Sequence, residues 1–129
     1  MIAVDSNVLV RALTKDDPGQ AKQAAKILAT DDIFIPKTVF LEMAWVLRYA
    51  YDIDRRAIMT GFRKLMGLPN VKVEDQQNVY QAISWYEGGL DFADALHLAS
   101  SMHADRFVTF DKAFIKAARK RSPVDISTP

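Results

Sequence analysis

Short apolar runs that break off and give way to stretches of helical periodicity recur through the chain, and nothing else in it narrows the fold so far. Ile2, Ala3 and Val4 stop at Asp5, after which Val8, Leu9, Ala12 and Leu13 return at helical spacing. Past a turn at 16–19, good helix formers fill 21–29, and Ile33-Phe34-Ile35 makes a second strand that Pro36 keeps extended. A helix capped by Thr38 is expected to about Ala50, and another from an Asp54 cap to Met66, where Gly67 and Pro69 supply the stop. Val71-Lys72-Val73 reads as a brief strand, and Asp75 as the cap of a helix that ends at Gly88-Gly89. A further helix is expected over 92–102, a strand over 106–110, a helix over 112–120 and a short tail containing 124–126. This alternation predicts an α/β sandwich around a mostly parallel sheet. With no repeat, low-complexity tract or linker, residues 1–129 read as one domain.

Half of the positions are hydrophobic, enough for a real core in a chain of 129 residues. Because 17 Lys and Arg face 16 Asp and Glu, no global field marks a polyanionic partner, and any attraction for nucleic acid must be local. The absence of cysteine excludes disulfides, thiolate zinc sites and Cys nucleophiles. The longest apolar stretch, 39–47, contains Glu42 and falls short of the roughly 20 residues a membrane span needs. Asp5 and Asn7 interrupt the apolar opening, so no signal peptide is expected, and the expectation is a cytoplasmic protein without a membrane partner.

Ligand sites in open parallel sheets form beyond the carboxyl ends of the strands. Asp5 and Asp111 both sit at such an end, each followed by a helix, so each is at once a candidate helix cap and a candidate ligand. Glu42 lies within VFLEMAWVL, apolar on every face, which is the pattern of a buried helix. A carboxylate buried there must be paired, protonated or bound to metal. Asp94 falls in the first turn of the helix that feeds the last main strand, three residues after Asp91, which is an N-cap candidate and a possible helper. Four carboxylates brought close would raise one another's pKa unless a cation neutralised them. With oxygen donors and no cysteine, Mg²⁺ or Mn²⁺ suits the set better than zinc.

Asp5-Ser6-Asn7 after the first strand, Glu42 in an apolar helix, the stretch DFADALHLA over 91–99, and Thr109-Phe110-Asp111 together resemble the PIN-domain family, and within it toxins of the VapC type. The resemblance covers nearly the whole chain. It implies a PIN-like three-layer sandwich, with a mostly parallel central sheet of four or five strands flanked by helices. It also implies a hydrolase: an endonuclease that cleaves RNA phosphodiesters with a metal-activated water. Asp5, Glu42, Asp94 and Asp111 would be the catalytic residues and hold Mg²⁺ or Mn²⁺, while Ser6, Asn7, Asp91 and Thr109 would orient or assist them. Such a toxin is restrained by a VapB-like antitoxin in a toxin–antitoxin pair and forms homodimers.

Lys112, Lys116, Arg119 and Lys120 share one face of the last helix, beginning beside Asp111, and are candidates to grip RNA phosphates; the alternative is an ordinary solvated face. Two rival functions remain from the sequence. A phosphoacceptor signalling domain would need an acidic pair after strand one and an Asp ending a central strand, and neither pattern is present. A catalytically inactive PIN-fold binding module would show no divalent binding.

Overall fold

The computed structural model describes all residues, Met1–Pro129. The chain forms two compact units, Met1–Gln76 and Gln77–Pro129. It is an α/β fold with five short strands, every pair parallel, and seven α-helices.

In the first unit the strands β1 (Ile2–Ala3), β2 (Ile33–Ile35) and β3 (Val71–Val73) are ordered β1-β2-β3, with Ile2 opposite Ile33 and Ile35 opposite Val73. The central strand is the most apolar: Ile33 and Ile35, on one face of the sheet, are fully buried, and Phe34, on the other, is half-buried. The helices are α1 (Ser6–Thr14), α2 (Pro18–Thr30), α3 (Lys37–Trp45) and α4 (Arg55–Met66). Leu9, Phe40, Met43, Leu47, Ile58 and Phe62 fill the core, where the rings of Phe40 and Phe62 meet edge to face at 5.1 Å. Asp17 caps α2 with Pro18 in the first helical position, where a missing amide costs nothing, and Asp54 caps α4 through Ala57 N at 2.8 Å.

The start of α3 differs from expectation. Its cap position is Pro36, which has no side-chain acceptor, and Thr38 lies inside the helix. The free amide of Lys37 instead donates to Glu74 Oε1 at 3.0 Å, from the residue just past β3. Asp75, immediately before the next helix, has a left-handed backbone (φ 47°), and its Oδ2 accepts from Lys37 Nζ at 2.8 Å. Beyond Trp45 the chain continues as one π-helical turn, Val46–Ala50. Phe40, Met43, Ala44 and Leu47 point inward, but Trp45 and Tyr49 are 63% and 65% exposed, so this segment is not buried all round.

The second unit contains α5 (Gln76–Glu87), which starts at the boundary, then α6 (Phe92–Ala99), β4 (Arg106–Val108), α7 (Lys112–Arg119) and β5 (Asp125–Ser127). The tail expected over 124–126 is thus a strand, pairing with β4 in the register Phe107 to Ile126. Tyr86 and Phe92 meet edge to face at 5.5 Å, and Phe107 packs on Phe114 at 5.5 Å. At the end of α5, the Gly88 carbonyl accepts from Arg121 Nη2 at 2.5 Å.

The expected single sheet of four or five strands is therefore corrected to ladders of three and two. β1 is only two residues long; the amide of its Ile2 donates to Asp32 O, just before β2, at 2.8 Å, and that of Val4, just past β1, to Phe34 O at 3.2 Å. No helix is long and apolar enough to cross a membrane.

Candidate functional site

In the first unit, Asp5 ends the chain's first extended segment and caps α1, its Oδ1 accepting from Val8 N at 3.3 Å. The cap and ligand readings are compatible, because capping engages one oxygen of an exposed carboxylate and leaves the other facing solvent. Ser6, in the first turn of α1, is the one buried polar residue of the molecule, and its Oγ donates to Glu42 Oε1. A short hydroxyl under the helix thus fixes a longer carboxylate that reaches from α3. Asn7, next along, is exposed.

Glu42 itself is exposed, which corrects the expectation of a desolvated carboxylate. The apolar string around it misled because it contains large side chains, Trp45 above all, that the fold leaves in water. Exposure removes the argument that burial alone forces Glu42 onto a cation. What remains is its bond to Ser6.

In the second unit, Asp91 caps α6 by accepting from Asp94 N at 3.2 Å. Asp94 is half-buried, and its carboxyl is pushed above the ordinary aspartate value. Burial is the largest cause, followed by the like charges of Asp91 and Asp111, with His97 acting in the opposite sense. Asp111 caps α7, its Oδ1 accepting from Phe114 N at 3.0 Å, and its own amide donates to Thr109 Oγ1 at 3.1 Å, which fixes the turn that carries it.

Two partial sets of donors result: Asp5 and Glu42 with Ser6 in one unit, and Asp94 with Asp91 and Asp111 in the other. The chain holds no group of three or more His, Cys, Asp or Glu side chains placed to share an ion. The donor chemistry nevertheless fits a hard divalent cation. Every candidate is an oxygen ligand, and the repulsion that raises Asp94 is the kind a bound cation relieves.

On α7, Lys112, Lys116, Arg119 and Lys120 line a cleft of about 530 Å³ together with Ser127 and Thr128. Ser127 Oγ is buried there without a hydrogen-bond partner, while Arg119 Nε is engaged by Ile126 O at 3.1 Å. The cleft is therefore cationic, with an unused hydroxyl in its wall.

Arg11, on α1, is held by its own neighbours. It donates to Gln20 Oε1 at 2.8 Å, to Asp16 Oδ1 at 3.1 Å and to Tyr51 Oη at 2.7 Å, and Tyr51 in turn donates to Asp16 Oδ2 at 2.8 Å. The Tyr51 hydroxyl is the largest influence holding the exposed Asp16 carboxyl below the usual range. No sequence signal links these residues, since Tyr51 is 35 positions from Asp16. A second cleft, about 360 Å³, begins at Asp5 and Asn7 and runs between α1 and α2 past Gln20 and Gln23. Neither glutamine belongs to a motif.

Residues 2–120 match the family described as PIN domain. No curated protein matches the chain.

Proposed function

Because the chain belongs to the PIN-domain family, whose members are generally nucleases, we propose that it is a metal-dependent endoribonuclease acting as the toxin of a VapBC-type pair. The observation that carries this reading is the match over residues 2–120, a span that includes Asp5, Glu42, Asp94 and Asp111. In this reading the two units form one PIN domain, and those four carboxylates together hold Mg²⁺ or Mn²⁺. A bound cation supplies charge stabilisation at the phosphate and a lower pKa for water at the site.

The chain's own groups do the positioning. Ser6 holds Glu42 in one orientation, and the α1 amide at Val8 holds Asp5. Thr109 fixes the turn before Asp111, and Asp91 fixes the first turn of α6 beneath Asp94. Lys112, Lys116 and Lys120, with Arg119 anchored to β5, receive backbone phosphates of the RNA. In keeping with the family's VapC-type toxins, the partners would be a VapB-like antitoxin and a second copy of the chain.

The test is cleavage of a labelled RNA pool by the purified chain with Mg²⁺, with Mn²⁺ and with EDTA. Cleavage that needs the ion and disappears in Asp5→Asn, with the circular dichroism spectrum unchanged, is the expected result. Equal cleavage by both proteins, or cleavage in EDTA, refutes the assignment. The alternative reading is a PIN fold retained as a binding module. Calorimetric titration with Mn²⁺ showing no heat of binding would select it.

A further inference from the structure

The cleft between α1 and α2 has a composition that the reading above does not use. It opens at Asp5 and Asn7, and its walls carry Val8 from α1 and Ile27 from α2, both only half-buried. Apolar side chains left partly wet inside a concavity gain when a flat, weakly polar group covers them. The polar groups are of one kind as well. Asn7, Gln20 and Gln23 are primary amides, and all three are exposed.

The orientation of one amide is fixed. Arg11 Nε can only donate, so the atom of Gln20 that it meets at 2.8 Å is the carbonyl oxygen. The NH₂ group of Gln20 is then the end presented to a ligand, as a donor. Gln23 can both donate and accept. Charge argues against a phosphate here: Asp5 stands at the mouth, and the guanidinium of Arg11, the cation in the cleft, is already paired with Asp16. A neutral planar ring with donors and acceptors on its edge meets each of these conditions.

The geometry points to a nucleobase subsite: the α1–α2 cleft takes one unstacked base of a single-stranded RNA, laid on Val8 and Ile27 and read by Gln20 and Gln23. Amide side chains at base edges discriminate by paired donor and acceptor bonds, and unpaired RNA is where such edges are accessible. The subsite rests on the ribonuclease reading for its connection to cleavage, since it begins at a proposed metal ligand. It supplies what a set of carboxylates lacks, a preference for sequence at the cut.

The experiment separates the two. Fluorescein-labelled pentaribonucleotides with each base in turn, and one with an abasic central ribose, are titrated by anisotropy against the wild-type chain and Gln20→Ala/Gln23→Ala in EDTA. The wild type is expected to prefer one base over the abasic oligonucleotide by about tenfold, and the double variant to lose most of that preference with its melting temperature unchanged. Equal affinity for based and abasic RNA, or a preference that survives in the double variant, overturns the subsite. A melting temperature lowered in the double variant moves the decision to Gln23→Ala alone, whose side chain has no protein bond to lose. Base preference without ion-dependent cleavage sinks the nuclease and leaves the subsite; cleavage without base preference does the reverse.

Discussion

Asp94 shows how a single candidate side chain can stand at the fold's expense. Its carboxyl is raised by burial and by Asp91 and Asp111, so the native chain binds a proton more readily than the unfolded chain. Stability therefore falls as pH rises through the interval between the ordinary aspartate value, 3.8, and the raised native one, and stays reduced above it. Asp94→Asn removes the charge, so at neutral pH and without divalent ions it should unfold at higher urea than wild type with the same m-value, while losing cleavage. The advantage should shrink as pH approaches 3.8. A variant less stable at neutral pH would mean that Asp94 makes a favourable contact that outweighs the repulsion. Glu42 teaches the opposite lesson. Sequence singled it out because every neighbour was apolar, yet Trp45 and Tyr49 face water and take Glu42 with them. A pattern of residue types says which side chains would profit from burial, not which of them the fold has room to bury.

At the level of helices, termini carry the candidate site. Asp5, Asp91 and Asp111 cap α1, α6 and α7, and these were legible because a cap leaves a local signature, an acid just before a periodic run. The cap of α3 was not legible, since Glu74 is 37 residues away in sequence and meets Lys37 only after β2 and β3 pair. One strand was missed: β5 has a single buried side chain, Ile126, between the exposed Asp125 and the half-buried Ser127, so it offers no apolar run to read. The double use of a cap can be separated by substitution. Asp111→Asn keeps an acceptor for Phe114 N, so it should retain stability and lose metal-linked activity, whereas Asp111→Ala should also cost about 1 kcal/mol in unfolding free energy. Urea denaturation of the two variants alongside cleavage assays makes the comparison. Equal loss of stability in both would mean that the charge, not the hydrogen bond, holds the start of α7.

Over the whole molecule, ligand linkage and salt report on groups that lie far apart in sequence. If Asp5, Glu42, Asp94 and Asp111 hold ions as one set, Mn²⁺ at a hundred times its dissociation constant should add about 2.7 kcal/mol of stability, visible as a rise in melting temperature. Asp5→Asn and Asp94→Asn should each abolish that rise. If either variant keeps it in full, the donors of that unit do not belong to the ion site. Salt addresses the α7 cleft instead. Each phosphate neutralised in single-stranded RNA steepens the log–log salt dependence by about 0.7, so Lys116→Gln and Lys120→Gln should each flatten the slope of RNA affinity by about that amount. A slope unchanged in both variants would assign these lysines to the solvent. The near balance of acids and bases in the composition could not have located this cleft, because it records how many charges there are and not how a helix sorts them.

The caps also bear on how such a chain can decay. At Asp5 and Asp111 an amide would serve the helix as well as a carboxylate does, and at Asp94 it would relieve a repulsion. Once selection for cleavage relaxes, drift from aspartate to asparagine at these positions meets no resistance from folding. Silent copies of this chain would thus be expected to persist as well-folded proteins, eroded first at the acids and last in the core.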